Sequence, residues 1–276
     1  MTTPALVEPL PPGLLRRFGR GLSEWVPAAV VFALGILLWE GIVRGFDIQD
    51  FLLPPPSEIL QTLWTERDQM WTAVWITFRE AFVGWAVGCS LGFLAALTLA
   101  RWRLLSLALM PYAIAAGAVP IIAFAPITNN WFGVTGMTSK MAIAAILCFF
   151  PMMVNTMKGL TSVPASSIEL MRSYAAGEFE IFRRVRLPNA LPYVFAGLKV
   201  GTVLAMIGAI VGDYFGGAPG ALGVQIQRWV GIFAFEEAWA GIVLASAIGI
   251  VFYSAVSLVE RRAMSWHPSI RGAGPE

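Results

Sequence analysis

Six apolar stretches dominate this chain, and each is long enough to cross a lipid bilayer as a helix. They run over residues 25–43, 73–100, 104–126, 139–159, 191–213 and 234–259. A spanning helix needs about 20 predominantly apolar residues, because its backbone polar groups must be satisfied within the segment when they lie in lipid. Only 13% of the residues are charged, about half the share in soluble domains. The sequence therefore predicts an all-α integral membrane protein with about six transmembrane helices.

The distribution of basic residues predicts the orientation of the chain, since Lys and Arg gather on the cytoplasmic side of membrane proteins. With the N-terminus inside, residues 1–22 form a cytoplasmic tail, residues 23–262 the transmembrane domain and residues 263–276 a second cytoplasmic tail. Four basic residues then face outside: Arg44, Arg67, Lys140 and Arg228. Thirteen face the cytoplasm: Arg16, Arg17, Arg20, Arg101, Arg103, Lys158, Arg172, Arg183, Arg184, Arg186, Arg261, Arg262 and Arg271. A cleaved signal peptide is the alternative for the first stretch, but no small-x-small site followed by polar chain supports it.

Glycines at four-residue spacing predict where the helices pack closely. Such faces let two helix backbones approach one another, and we favour packing within the bundle over a separate dimer interface. The glycines of this pattern in the second and fifth stretches are Gly84, Gly88, Gly92, Gly197, Gly201, Gly208 and Gly212. Cys89 and Cys148 also lie within apolar stretches, where we expect packing residues rather than a disulfide.

Three ionisable residues lie in or beside the apolar stretches, namely Glu80, Lys199 and Asp213. Charges deep in a bilayer are costly, so they normally face the protein interior or an aqueous path, although groups near a helix end can also extend to the membrane surface. The third stretch is interrupted by Pro111, Pro120 and Pro126. Broken or kinked helices at membrane depth usually line a cavity, which indicates a pathway helix, and a merely kinked structural helix is the alternative.

Neither an ATP site nor a metal site is visible in the sequence. The phosphate-binding pattern G-x-x-x-x-G-K-[ST] does not occur, and the sole histidine is His267. We therefore expect a protein that is not an enzyme and that binds no cofactor or metal itself. A secondary transporter would need buried acidic groups for ion coupling, and few are present. An intramembrane enzyme would need facing catalytic groups, and the spacing indicates none.

A polar stretch between the fourth and fifth apolar stretches, over residues 160–190, is long for a connection between packed helices. Its apolar residues Ile168, Met171, Tyr174 and Ala175 recur at helical spacing, and Phe179, Phe182 and Val185 continue the pattern. An amphipathic element in water must bury its apolar face. It either lies on the bilayer surface or docks into a groove of a soluble partner.

The stretch from Glu169 to Pro188 resembles the loop that defines membrane subunits of binding-protein-dependent ABC importers. That loop has the pattern E-A-A-x-x-x-G, nine residues, then I-x-L-P. Glu169 matches the Glu, and Val185 to Pro188 match the last four positions at the same spacing. Leu170 and Met171 replace the two alanines and Ala175 replaces the glycine, which puts in doubt whether the sharp turn of the family is retained.

Further segments carry the resemblance over about residues 70–265, among them "GWAVGCSLGFLAAL", "VPIIAFAPITNNWFG", "CFFPMMVNTMKGL" and "VERRAMSWHPS". They are similar to the branch that imports nitrate, taurine, aliphatic sulfonates and thiamine-pyrimidine or flavin-like compounds. The loop is most similar to that of vitamin and vitamin-precursor members. The resemblance thus implies the permease subunit of an ATP-driven importer with the type I ABC importer permease fold, in a bacterial inner membrane. Sulfonate, taurine or nitrate are the alternative substrates.

The resemblance also implies partners and functional residues. Two permease copies enclose the path, two ATPase subunits bind ATP and Mg below them, and an external solute-binding protein delivers the solute; no nucleic acid is involved. A coupling helix around Ser173 to Gly177 would dock into the ATPase. The expected contact residues are Glu169, Arg172, Tyr174, Ala175, Ala176, Gly177, Phe179, Phe182, Leu187 and Pro188. The expected pathway residues are Pro120, Phe124, Asn155, Met206 and Asp213.

Two segments are expected outside the membrane. The stretch "QDFLLPPPSEILQTLWTERD" predicts an interfacial helix, with Ser57 as its cap after three prolines. Residues 213–237 are glycine-rich and then amphipathic. The resemblance implies a re-entrant segment there, near the path and the binding protein, and the residues alone also allow an ordinary loop with a surface helix.

Overall fold

The computed structural model describes residues 14–264 apart from Ala118, with side chains from residue 26 onward except those of Arg103, Ile121 and Ile122. The beginning of the predicted N-terminal tail and nearly all of the predicted C-terminal tail, including His267, lie outside the described residues. Every regular element in the described part is helical, which confirms the all-α prediction. The α-helices are α1 (Leu14–Gly45), α2 (Pro56–Thr65), α3 (Arg67–Arg101), α4 (Arg103–Gly117), α5 (Ala125–Phe132), α6 (Met137–Thr161), α7 (Ala165–Ser173), α8 (Glu178–Ile181), α9 (Leu187–Tyr214), α10 (Leu222–Gly231) and α11 (Phe235–Ala263).

Five helical stretches in the described part of the chain are long and apolar enough to cross a membrane. They are α1 from Val26 onward, α3, α6, the continuous helix formed by α8 and α9, and α11. The π-helical turn Phe182–Arg186 joins α8 to α9 without a break. These five correspond to five of the six predicted spans.

The third predicted span, over residues 104–126, is not one helix. Helix α4 ends at Gly117, a 3₁₀ turn covers Ile121–Phe124, and α5 begins at Ala125. Proline lacks the N–H that would continue a helix, and Pro120 lies in this gap while Pro126 lies in the first turn of α5. The structure therefore has a broken helix in this span, and its role as a pathway helix stays a prediction.

Helices α3, α6 and α9 pack along one another and form the centre of the bundle. A Cβ added at Gly84 of α3 would lie 2.5 Å from the Cβ of Ala144 in α6, and one at Gly88 would collide with the backbone of Ala145. From the other side, a Cβ at Gly208 of α9 would lie 3.0 Å from the Cα of Ala144. Because only glycine allows these approaches, the predicted close packing within the bundle is confirmed.

Two cysteines and one ion pair lie among the apolar side chains of the bundle. Cys89 and Cys148 are both free and buried, and the Sγ of Cys148 donates to the carbonyl oxygen of Gly201 over 3.2 Å. Lys199 in α9 forms an ion pair with Glu260 in α11, with 2.7 Å between Nζ and Oε2. The charge predicted within the fifth span therefore faces the protein and not the lipid.

Helix α1 packs mainly through its C-terminal end, next to α2, and most of its length is exposed. The prediction that Ser57 caps α2 is wrong, because α2 begins at Pro56 and no side chain caps it. Ser57 instead binds Glu40 of α1. Its backbone N–H donates to Oε2 over 3.0 Å and its hydroxyl donates to Oε1 over 2.8 Å, while Arg44 also reaches Oε1 over 2.6 Å. This polar group fixes α2 against α1.

Candidate functional site

The polar stretch that resembles the ABC importer loop forms a helix, a turn and a second helix. Helix α7 ends at Ser173, residues 174–177 form the turn, and α8 begins at Glu178. The prediction of a short helix over residues 173–177 is therefore wrong. The residues expected there lie in the turn that links α7 to α8, and we call residues 165–182 the coupling loop.

The turn of the coupling loop keeps the sharp reversal of the family pattern although its glycine is replaced. Ala175 has a φ of 57°, in the left-handed region that favours glycine. The N–H of Ala175 donates to the carbonyl of Arg172 over 2.9 Å, and the N–H of Ala176 donates to that of Met171 over 3.1 Å. These two bonds form a Schellman motif, which satisfies the last carbonyls of α7. The replacement of glycine thus leaves the turn in place, with strain at Ala175.

The strain at Ala175 predicts that Ala175→Gly stabilises the turn. A non-glycine residue in the left-handed region costs about 1 kcal/mol, so the amides of residues 175 and 176 should exchange with deuterium roughly fivefold more slowly in the variant. Ala165→Gly, at the beginning of α7, is the matched control. There the backbone is helical and glycine should speed local exchange instead. If both substitutions accelerated amide exchange equally, the inferred strain at Ala175 would be wrong.

Large apolar side chains of the coupling loop are exposed. Tyr174 is 77% exposed, Phe179 76% and Leu170 58%. Phe182 and Ala176 are half-buried, and Phe182 lines a cleft of about 830 Å³ between the loop and the adjoining ends of α3, α4 and α6. Exposed apolar groups concentrated in this way mark an interaction surface more often than a solvated one.

Charged side chains frame this apolar surface. Arg172 and Glu178 form an ion pair across the turn, with 2.9 Å between Nη2 and Oε1. Glu180 and Arg184 form a second pair over 3.2 Å. Of the remaining predicted contact residues, Glu169 and Gly177 are exposed, while Leu187 and Pro188 are half-buried in the first turn of α9.

The five predicted pathway residues do not form one cluster. Pro120 is exposed and Phe124 half-buried, both at the break between α4 and α5. Asn155 is half-buried in α6, with its Nδ2 donating to the carbonyl of Pro151 over 2.8 Å. Met206 is buried in the core of the bundle, and Asp213 is wholly buried near the end of α9. A role for these residues in the path stays a prediction.

Asp213 belongs to a buried polar cluster that the sequence did not reveal as a unit. The hydroxyl of Thr77 donates to its Oδ2 over 2.7 Å, and Glu80 lies in the same buried region, one helical turn along α3. Lys140 is wholly buried near the beginning of α6. Its Nζ donates to the Oδ1 of Asn129 over 3.1 Å, to the hydroxyl of Ser139 over 2.9 Å and to the carbonyl of Val134. A buried ammonium needs such acceptors.

Carboxylates that could bridge a cation occur at one place in the described part of the chain. The carboxylate oxygens of Asp50, Glu58 and Glu236 lie within 4.8 Å of one another. These residues are exposed or half-buried, and surface acidic groups are often close together without a metal. Their proximity alone does not indicate a metal site.

Comparison with known proteins agrees with this architecture. The model of the family described as "binding-protein-dependent transport system inner membrane component" matches residues 88–265. The riboflavin transport system permease protein RibX of Chloroflexus aurantiacus is 31% identical over 89% of this chain and 92% of its own length. The formylaminopyrimidine transport permease protein ThiX of Halalkalibacterium halodurans is 32% identical over 85% and 93%. The taurine transport system permease protein TauC of Escherichia coli is 24% identical over 91% and 93%.

The fold is also similar to that of solved transporters. The crystal structure of an amino acid ABC transporter superposes with a TM-score of 0.60 at 18% identity, covering 73% of this chain and 97% of that one. The match to the family model extends over more than half of the present chain, and the apolar helices are those of a multi-pass membrane protein. The chain therefore belongs to the inner membrane components of binding-protein-dependent transport systems, the permease subunits of ABC importers, in which partner subunits hydrolyse the ATP.

Proposed function

We propose that this permease forms the path for a vitamin or vitamin precursor of the riboflavin or thiamine-pyrimidine type. The observation that carries the proposal is the similarity to RibX and ThiX along most of the chain, at 31% and 32% identity. The similarity to TauC covers as much of the chain at a lower identity, 24%. Sulfonate, taurine or nitrate import is the second candidate.

The working assembly in this proposal contains two copies of the permease, two ATPase subunits and an external solute-binding protein. Two-fold pairing is the commonest symmetry of homo-oligomers, and an ABC importer requires ATPase partners. ATP and Mg bind the ATPase subunits, and the permease itself carries no cofactor. The N-terminus and the coupling loop lie in the cytoplasm, as the excess of Lys and Arg on that side predicts.

The coupling loop is the docking element for the ATPase in this proposal. Its exposed Tyr174 and Phe179 would fill an apolar groove of the ATPase, while Arg172 and Glu178 stay paired at the rim. Interfaces of this kind draw most of their affinity from a few buried aromatic anchors within a polar rim. The solute path would pass the break at Pro120 and Phe124 and the polar side chain of Asn155. Met206 and Asp213 would act on it indirectly, because both are buried within the bundle.

Uptake into proteoliposomes tests the substrate. The permease is reconstituted with the ATPase subunit and the solute-binding protein of the same transport system, and uptake of labelled riboflavin, formylaminopyrimidine and taurine is measured with and without ATP. We expect ATP-dependent uptake of riboflavin or the pyrimidine and none of taurine. Uptake of taurine alone would refute the vitamin proposal and support the second candidate.

A further inference from the structure

Two connections at the same end of the bundle are tied to it by buried polar side chains. One connection, residues 133–136, joins α5 to α6, and the other, residues 215–221, joins α9 to α10. This end lies opposite the coupling loop, because α9 begins at the loop and ends at the second connection. Asn129 and Lys140 bond residues of the two connections, Thr77 bonds the first residue of α10, and Asp213 accepts from Thr77. We call these four side chains the clasp.

Thr77 joins three helices through one hydroxyl group. It donates to the Oδ2 of Asp213 in α9 over 2.7 Å and accepts the backbone N–H of Leu222, the first residue of α10, over 2.9 Å. The hydroxyl and the N–H group are buried, so neither can turn to water instead. The beginning of α10 is therefore fixed to α3 and α9.

Asn129 and Lys140 tie the other connection to the same group of helices. The Nδ2 of Asn129 donates to the carbonyl of Phe215 over 3.1 Å, so that α5 is bonded to the connection that follows α9. The Oδ1 of Asn129 accepts from Lys140, whose ammonium also bonds the carbonyl of Val134. Through these bonds and the backbone between Asp213 and Phe215, α5 is linked to α10 by side chains that are at least nine-tenths buried.

Glycines allow the connection after α9 to lie directly on the clasp. A Cβ added at Gly217 would lie 2.5 Å from the Oδ1 of Asp213, and one at Gly223 would lie 2.5 Å from the Cβ of Asp213. Gly216 has a φ of 132°, which side-chain-bearing residues rarely adopt. At Gly217 and Gly223 the chain lies so close to Asp213 that a side chain would clash with it.

We propose that Thr77, Asn129, Lys140 and Asp213 are positioning residues for transport, which make α5 and α10 move as one unit. Helix α5 begins at the break that we assign to the solute path, and α10 lies at the end that would meet the solute-binding protein. Docking of that protein on the region of α10 would therefore act on the path through the clasp. This inference rests on the proposed assembly with an external binding protein.

Isosteric substitution of Thr77 tests the clasp. Thr77→Val keeps the shape of the side chain but removes both hydrogen bonds, whereas Thr77→Ser keeps the hydroxyl. Thr72→Val is the matched control, since it makes the same change at the same end of α3, where the hydroxyl donates only to the carbonyl of Asp68 in its own helix. Spin labels at the exposed positions Asn130 in α5 and Gln227 in α10 report the distance between the two helices.

Two readouts are taken on each variant. In Thr77→Val we expect a broadened label distance and an approximately tenfold fall in the ratio of ATP hydrolysis with loaded binding protein to hydrolysis without it. Thr77→Ser and Thr72→Val should keep both values close to those of the wild type. An unchanged distance in Thr77→Val, or equal broadening in Thr72→Val, would overturn the proposal.

The two readouts also separate this inference from the proposed assembly. If binding protein does not stimulate hydrolysis by the wild-type complex, the proposed assembly is refuted, and the label distance alone decides the clasp. If Thr77→Val does not accumulate in the membrane, Asn129→Ala replaces it. That variant removes the bonds to Phe215 and Lys140 and should broaden the same distance.

Discussion

We expect a permease that carries both Tyr174→Ala and Phe179→Ala to lose its affinity for the ATPase subunit. Both rings are about three-quarters exposed in the free chain, so the substitutions remove almost no packing within the permease. In the proposed complex the rings become buried anchors, and the loss of two such anchors weakens an interface by roughly 100-fold or more. The expected result is therefore a folded permease that no longer binds the ATPase.

Binding of the purified ATPase subunit to inverted membrane vesicles measures this effect. Phe46→Ala is the matched control, because Phe46 is 78% exposed but lies after α1, at the end of the bundle opposite the coupling loop. The control should bind the ATPase with wild-type affinity. If the double variant binds as well as the wild type, the coupling loop is not the docking element. ATPase binding to right-side-out vesicles instead of inverted ones would contradict the proposed orientation.

The second large effect is expected at the crossing of α3 and α6. Gly88→Leu would place a branched side chain where even a Cβ collides with the backbone of Ala145. Overpacking in a well-packed core usually costs about 1–3 kcal/mol, and a clash with backbone lies at the upper end because neither helix can yield by a rotamer change. We expect a destabilisation of about 3 kcal/mol and a clearly lower unfolding midpoint.

The reactivity of the two cysteines of the chain measures the unfolding midpoint. Cys89 and Cys148 are buried, so a fluorogenic maleimide should react with them only as the bundle opens on heating. Gly41→Leu is the control, because an added Cβ at Gly41 in α1 meets nothing within 4 Å. It makes the same change in another apolar helix. Equal midpoints for the two variants would show that α3 and α6 do not approach as closely as described.

The sequence predicted those parts of the fold that depend on a single helix. Apolar length identified the spans, and glycine spacing identified the packed faces, because both properties follow from the residues of one segment. The prolines predicted an interruption of the third span but not its position. Pro111 lies inside α4 without ending it, whereas α4 ends at Gly117, before Pro120, and the sequence of one segment does not distinguish the two prolines.

The functional sites could be predicted less completely. The loop was located by its motif, but a short helix was predicted around Ser173 to Gly177, where the structure has a turn. An alanine at position 175 gives no local sign of a left-handed conformation. The burial of Lys140 was not predicted, since this residue follows a short polar run at the start of an apolar stretch. Its acceptors, Asn129 and the carbonyl of Val134, lie in another helix and a connection. No periodicity within one segment can reveal such a partner.

The continuous helix formed by α8, the π-helical turn and α9 joins the two ends of the molecule. It runs from Glu178 to Tyr214, a length of about 55 Å at 1.5 Å per residue. Phe179 lies in its first turn and Asp213 in its last. A tilt of ~5° about the centre of a rigid rod of this length moves its two ends by roughly 2 Å in opposite directions. In the proposed assembly, a helix that moves as one rod would act as a lever, and a small pull at its ATPase end would reach the clasp as a displacement comparable to the length of a hydrogen bond.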